Sequence, residues 1–186
     1  MDKTQDKEKS PHKHEARIVS MPDSLEHRLI KPSSENNAET IQNNLNAIKT
    51  RYTDFDLHQF IEGAKGAYDM ILESFNHNLP EDIKDYLGTN IYEEYKKLFT
   101  NYQDKNYTYN IIVTRIEKAS VISATTTEAK ASIQVEFHAQ NISFLKDADD
   151  AIIDGNQDTV KAVTDIWTFE RSYSATDAKW IVTDIS

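Results

Sequence analysis

The sequence predicts an α+β domain, several helices followed by a mostly antiparallel sheet of four or five strands, behind a polar N-terminal tail. Three observations predict it. Apolar residues recur at helical spacing between residues 39 and 103. From Tyr107 onward the period changes to two and β-branched residues dominate. The first 38 residues carry neither pattern. A long bent sheet wrapped against helices makes a cone that can enclose a cavity.

The chain has 186 residues, one domain's length with room for a tail. A hydrophobic fraction of 38% and a mean hydropathy of -0.67 are low for a chain packed along its whole length. Residues 1–50 hold eight basic and eight acidic residues, whereas residues 51–186 hold 13 basic and 23 acidic. The whole net charge of -10 therefore sits on the domain. An acidic domain repels phosphate, which argues against nucleic acid as a partner and against electrostatic adhesion to anionic lipid. There is no cysteine, hence no disulfide framework, thiolate nucleophile or cysteine zinc site. No apolar run approaches the ~18 residues of a membrane span. The opening MDKTQDKEKSPHKHE lacks the apolar stretch of a secretory signal and carries acids that a mitochondrial presequence avoids. The chain as given reads as soluble, either whole or as a piece of a longer protein.

Residues 1–38 read as a disordered polar tail and linker. Asp2 to Glu15 cannot bury enough apolar surface to offset the entropy of ordering it. His12 and His14 have metal-ligating chemistry, but two solvated histidines in such an arm are the reading taken. Asp23-Ser24-Leu25-Glu26 has the form of a helix N-cap with an acid three residues on. Leu25 and Leu29 then share a face, and Pro32 stops the turn. This is either a short docking helix that folds on a partner or a nascent turn in a linker. A flexible tail of ~50 residues would reach ~40 Å.

The domain is expected over residues 39–186. Ile41, Leu45 and Ile48 predict a short amphipathic helix over Glu39 to Arg51, packed on its own domain. Asp56 can cap the next helix with Gln59 at the reciprocal position, and Phe55 and Phe60 are placed for a hydrophobic staple. The stripe that follows is Leu57, Phe60, Ile61, Ala64, Tyr68, Ile71, Leu72 and Phe75. Gly63 and Gly66 interrupt this helix at ~1 kcal/mol each against Ala, which predicts close approach of another element. Pro80 opens a further short helix that Gly88 ends, and Asn90 with Glu93 caps one whose inner face is Ile91, Tyr95, Leu98, Phe99 and Tyr102.

The strands are expected at Tyr107–Glu117, Val121–Thr125, Ala129–Phe144, Val160–Tyr173 and Trp180–Ile185. In the third, Ala131, Ile133, Val135, Phe137 and Ala139 face inward and His138 outward. Its phase flips at Ile142 and Phe144, which predicts a bulge or bend near Gln140–Asn141. Asp147 to Asp158 is acidic, but the glycine and glutamate positions of an EF-hand are missing, so a hairpin loop is preferred to a calcium loop. In the fourth strand Asp165 stands in an apolar row with Val163, Trp167 and Phe169. A buried acid has a raised pKa and suits a general base or a ligand-orienting carboxylate; the alternative is a structural acceptor of Tyr or backbone hydrogen bonds.

Three runs carry a family resemblance. They are Phe55-Asp-Leu-His-Gln-Phe60-Ile-Glu-Gly63-Ala64-Lys-Gly-Ala67-Tyr68-Asp-Met-Ile71, then Leu87-Gly-Thr-Asn-Ile-Tyr92-Glu-Glu-Tyr95, then Val163-Thr-Asp165-Ile-Trp167-Thr-Phe169-Glu-Arg171 with Lys179-Trp180. In this order the chain from about Ala47 to Ser186 resembles the Tim-forty-four-like domain family, in the style of its bacterial relatives. The resemblance implies a nuclear-transport-factor-two-like cone. It also implies a scaffold at the inner membrane, bacterial or organellar, like the mitochondrial tether of the import motor, with protein partners such as a translocase, chaperone or envelope complex, and lipid contact.

The residues themselves offer no Gly-rich phosphate loop, no HExxH and no GxSxG elbow. A non-enzymatic, membrane-associated adaptor without cofactor is therefore the first reading. Its expected cavity or partner-binding residues are Phe60, Tyr68, Ile71, Phe137, Asp165 and Trp167, with Leu25 and Leu29 as the docking helix. A carrier of a small hydrophobic ligand or lipid is the second reading and needs an apolar cavity lined by Tyr68, Phe137 and Trp167. An isomerase or dehydratase using Asp165 is the third and needs a Tyr such as Tyr68 or Tyr109 within hydrogen-bond reach.

Overall fold

The computed structural model describes residues 36–77, 80–175 and 179–186. Helix α1 spans Asn36–Arg51, α2 Leu57–His77 and α3 Thr89–Asp104, with a 3-10 helix at Pro80–Tyr86. Five strands follow: β1 Thr108–Thr126, β2 Lys130–Lys146, β3 Ile152–Gly155, β4 Lys161–Ser172 and β5 Ile181–Ile185. They form one antiparallel sheet of order β1-β2-β4-β5, with β3 also paired to β2. This is the α+β cone that the sequence pattern predicts. The first helix opens at Asn36 rather than Glu39.

Strand β2 is the spine. It carries β1 along one side, and β4 and β3 end to end along the other. Its inward residues Ala131, Ile133, Val135, Phe137 and Ala139 are all exposed by 2% or less. The expected split between strands at 107–117 and 121–125 is corrected. β1 is one continuous strand, and three register shifts against β2 absorb the break in alternation. The bulge or bend expected near Gln140–Asn141 is found there as a register shift between β1 and β2, and burial moves from Asn141 to Phe144 as the phase flip requires. The extra residue is Thr114 of β1, while β2 stays in register with β4 through Asn141. Extra residues on one strand bend it and raise its twist, so the curvature of the sheet is written into β1.

Strand β1 is also the sheet's edge, where unpaired backbone groups invite another chain. Asparagines from the helices cover it. Asn76 at the end of α2 donates to the Ile111 carbonyl at 2.8 Å and accepts its N–H at 2.6 Å, so its carboxamide stands in for a strand partner. From α1, Asn37 and Asn44 donate to the carbonyls of Ile122 and Ala124.

Helix α2 begins as its sequence requires. Asp56 Oδ1 accepts the Gln59 N–H at 2.8 Å, and the Phe55 and Phe60 rings lie 5.9 Å apart. The buried stripe starts at Phe60, because Leu57 in the first turn remains 39% exposed. It passes through three aromatic clusters. Phe60 meets Phe55, Phe169 and Trp180 at one end. Tyr68 stacks on Phe137 at 4.7 Å and meets Trp167 at 4.9 Å in the centre. Phe75 packs on Tyr95, Phe99 and Tyr109 at the other end. Burial of each such ring contributes roughly 1.5–3 kcal/mol.

Two further expectations are corrected. Gly88 does not end the preceding helix in a left-handed turn; with φ -63 and ψ 149 it is the N-cap of α3, and Asn90 lies inside the first turn. Gly88 takes this place because its N–H donates to the Val182 carbonyl at 2.7 Å, a link that a side chain would crowd against Thr183. The acidic connection contains a strand, β3, forming a hairpin with β2. Asp147 Oδ1 there accepts the N–H groups of Asp149 and Ala151, as a turn-forming carboxylate does.

The asparagine that closes the β1 edge gives a direct test. Asn76→Asp removes the donor and turns a negative charge toward the Ile111 carbonyl, so urea unfolding is expected to show a loss of about 1–3 kcal/mol.

Candidate functional site

Beside its buried stripe, α2 has a second face made of very small residues. Gly63, Gly66 and Ala67 lie on it, and an added Cβ at either glycine would meet nothing within 4 Å. The close approach expected at these glycines is therefore corrected: they front open space. That space is a groove of about 370 Å³. Phe60 and Met70 of α2 line it together with Tyr86, Phe169 and Trp180 from other parts of the fold. Gln59 and Lys179 are its polar members.

Each wall is held from behind. The Trp180 ring lies 4.9 Å from Phe60, edge on, and 5.8 Å from Phe55. It also meets Tyr52, which belongs to a stack that locks the end of α1 to the end of β4. In that stack the Arg171 guanidinium sits 3.8 Å from the centre of the Tyr52 ring, Tyr52 stacks on Tyr173 at 4.8 Å, and Arg51 covers Tyr173 at 4.5 Å. Asp54 pairs with Arg171 at 3.3 Å. Such cation–π contacts carry ~0.5–2 kcal/mol each and hold the rings in fixed planes. On the other wall, Lys179 reaches over the Tyr86 ring at 4.9 Å and pairs with Asp85 at 3.8 Å. The groove is thus a preformed apolar slot with one cation in its lining. Its polar lining groups are the Gln59 amide, the Lys179 ammonium and the Tyr86 phenol.

The sequence-predicted residues separate into three places. Phe60 is on the groove wall. Tyr68, Ile71, Phe137 and Trp167 have no exposure at all, and the Tyr68, Phe137 and Trp167 rings pack on one another in the core. Asp165 is beside them, with its Oδ2 accepting the Tyr68 hydroxyl at 2.6 Å. Leu25 and Leu29 lie outside the described residues. Trp180, Met70, Tyr86 and the two glycines were missed as site residues. The signal for them was Gly63-x-x-Gly66-Ala67, a run of small residues on a helix whose other faces are apolar or charged.

The Tyr68–Asp165 pair has its own electrostatics. Burial raises the Asp165 carboxyl above its ordinary value of 3.8, and the Tyr68 hydrogen bond offsets part of that rise. Burial and the adjacent carboxylate push the Tyr68 hydroxyl strongly upward, so it stays a donor. Asn141 donates to the same hydroxyl oxygen at 3.4 Å.

Two outcomes follow from these environments. The folded chain holds the Asp165 proton to a higher pH than the unfolded chain, so the group's contribution is fully present below 3.8 and is lost as pH rises through the raised value. Asp165→Asn keeps an acceptor for Tyr68 and has no charge to bury. It is expected to melt above the wild type at pH 7, and the gap is expected to close as both are taken toward pH 4. In the groove, Gly63→Ala and Gly66→Ala add a Cβ to open space on a helix, so each is expected to raise unfolding free energy by about 1 kcal/mol in urea titrations.

The comparisons with known proteins agree on the architecture. The family model described as the Tim44-like domain matches residues 41–186. Among solved structures, the intermembrane space region of the chloroplast protein ARC6 superposes with a TM-score of 0.50 at 15% identity, covering 71% of this chain and 95% of that one. At that identity the likeness concerns the fold. No curated protein sequence matches significantly. A helical stripe of Phe60, Tyr68 and Ile71 under a curved sheet, with Trp167 and Trp180 in their places, is what the matched segment supplies, and the chain belongs to the Tim44-like domain family.

Proposed function

We propose that this protein is a non-enzymatic adaptor that works at a membrane, resembling the tether of a protein-translocation motor, and that the groove beside α2 grips an apolar segment of a protein partner. The single observation that carries the reading is the glycine face of α2. Each glycine costs ~1 kcal/mol inside a helix, and no element of the domain occupies the room they leave. A slot kept open at such a cost, walled by aromatic rings locked from behind, fits helix-in-groove or side-chain insertion. The expected partner class is a translocase, chaperone or envelope complex of an inner membrane. Among the described residues no helix is long and apolar enough to cross a membrane. The domain's charge of -10 opposes anionic lipid, so its attachment is best supplied by the partner.

The same groove supports a second reading, a carrier of a small hydrophobic molecule or lipid chain, because about 370 Å³ of apolar space accepts either. Enzymatic use of Asp165 is disfavoured. Its Tyr68 partner is within hydrogen-bond distance, but Tyr68 is fully buried and offers a substrate no approach.

Gly66→Leu adds a side chain whose Cβ meets nothing within 4 Å and which enters the groove that Gly66 lines. Affinity capture from detergent-solubilised membranes is expected to enrich one membrane complex with the wild type, and to lose it with Gly66→Leu at unchanged melting temperature. Capture that persists through Gly66→Leu overturns the groove as the partner site. Recovery of lipid alone, lost in the same variant, favours the carrier.

A further inference from the structure

We propose that the open edge of β4, residues 161–165, pairs antiparallel with the same edge of a second copy of this chain, so that two sheets join into one across a two-fold axis at Val163. This edge shares no residue with the α2 groove, and the pairing stands whatever the groove binds.

The edge begins where β5 stops. Strand β5 pairs with β4 over Trp167 to Glu170, and the last bonds between them are at Ile166. The Ile166 N–H donates to the Ser186 carbonyl at 2.7 Å, and its own carbonyl accepts the Ser186 N–H at 2.9 Å. In an antiparallel ladder, residues two apart turn both backbone groups to the same side. Thr164 and Ala162 therefore turn theirs to the side that β5 has left. Strand β2 pairs with residues 161–165 on their other side, and among the described residues no strand pairs with them here. Burial changes at the same boundary. Trp167 and Phe169, level with β5, are buried. Val163 and Asp165, on the same face beyond its end, are only half-buried, and Ala162 and Thr164 on the opposite face are exposed. The β1 edge differs, because helix asparagines meet its carbonyls. Five strand residues with a free edge, ~17 Å long, are a template for another strand.

The sequence of the edge selects the occupant. Turned antiparallel to itself about Val163, Lys161-Ala162-Val163-Thr164-Asp165 sets Lys161 opposite Asp165, Ala162 opposite Thr164, and Val163 opposite itself. Ala162 and Thr164, whose backbone groups face the open side, then exchange both hydrogen bonds across the axis. Val163 falls at the closely spaced pair without hydrogen bonds, where half-buried side chains meet. Opposite charges directly across two strands stabilise the pairing. A shift of two residues in either direction keeps the bonding phase but loses both Lys–Asp contacts. The two-fold operation uses up the edge on each copy, so assembly closes at a dimer. The net charge of -10 on each copy opposes the encounter at long range, but at ~0.15 M salt the Debye length of ~8 Å screens it, while the contacts at the axis are screened less.

Sedimentation equilibrium of the full chain in salt of ~0.15 M is expected to show a reversible monomer–dimer equilibrium that weakens at ~0.01 M. Lys161→Asp sets acids opposite acids and is expected to weaken the dimer by about tenfold or more. Thr164→Pro removes an N–H that faces the open side, so it is expected to give a monomer that keeps its fold by circular dichroism; if that variant unfolds, Lys161→Asp decides. The chain has no cysteine, which allows a direct reading of the register. Val163→Cys places two thiols across the axis with Cα atoms ~4.5 Å apart, within disulfide range, and oxidised glutathione is expected to link the copies. Thr164→Cys places its two copies out of step on the facing strands and is expected to stay unlinked. A monomer at every concentration overturns the proposal. So does a dimer that Lys161→Asp leaves at full strength, or linking of Thr164→Cys as ready as that of Val163→Cys.

Discussion

The structure depends on one stripe of one helix. Phe60, Tyr68 and Phe75 lie on the same face of α2, and each ring enters a different aromatic cluster against the sheet. The stripe fixes the rotation of α2 about its axis, because turning the helix would lift three rings out of three sites together. Once that rotation is set, the residues beside the stripe have no freedom. Gly63 and Gly66 must face the gap between α2 and Trp180, and Asn76 must arrive at the β1 edge opposite Ile111. The groove and the closed edge of the sheet are thus consequences of the same packing decision.

Tyr68 makes that decision unusually exact. Its ring is central to the core, and its hydroxyl must also find a partner where water does not reach. Asp165 supplies the acceptor, and Asn141 donates to the same oxygen. A buried carboxylate is a destabilising choice when an apolar residue of similar size would pack as well. Here it gives the stack a direction: slipping α2 by one turn would leave both Tyr68 and Asp165 without their mutual bond. The polar pair in the middle of an apolar stripe therefore ties α2 to β4 at one register, through a fully buried Tyr68 and a partly buried Asp165.

Much of this was legible in the sequence, for identifiable reasons. Helical spacing, the Asp56 cap and strict alternation in β2 are local signals that tertiary contacts did not override. The value of Asp165 as an outlier was also legible, because one acid in an apolar row demands a partner. What misled was backbone geometry that depends on distant chain segments. Gly88 looked like a helix end and became a helix start because Val182 takes its N–H. The phase flip toward Phe144 was legible in β2, but not that the extra residue beside it sits in β1. Gly63 and Gly66 were legible as unusual but ambiguous in meaning. A helical glycine marks either an intruding element or an opening, and only the position of Trp180, more than a hundred residues later, decides between them.

The domain's charge and the groove's lining select between kinds of contact. An acidic surface repels anionic lipid and other acidic domains at long range, while an apolar slot is indifferent to charge and rewards only shape and desolvation. Specificity then comes from the difference: a candidate ligand must bring an apolar segment that fits between the glycine face and Trp180, on a carrier whose charge does not oppose approach. On the proposed reading, a neutral or basic segment of a partner protein meets both conditions. Lys179 at the lip adds a local exception, since its pairing with Asp85 leaves it within reach of an acid on an incoming segment. On the proposed reading, such a groove would discriminate by repulsion at a distance and by fit at contact.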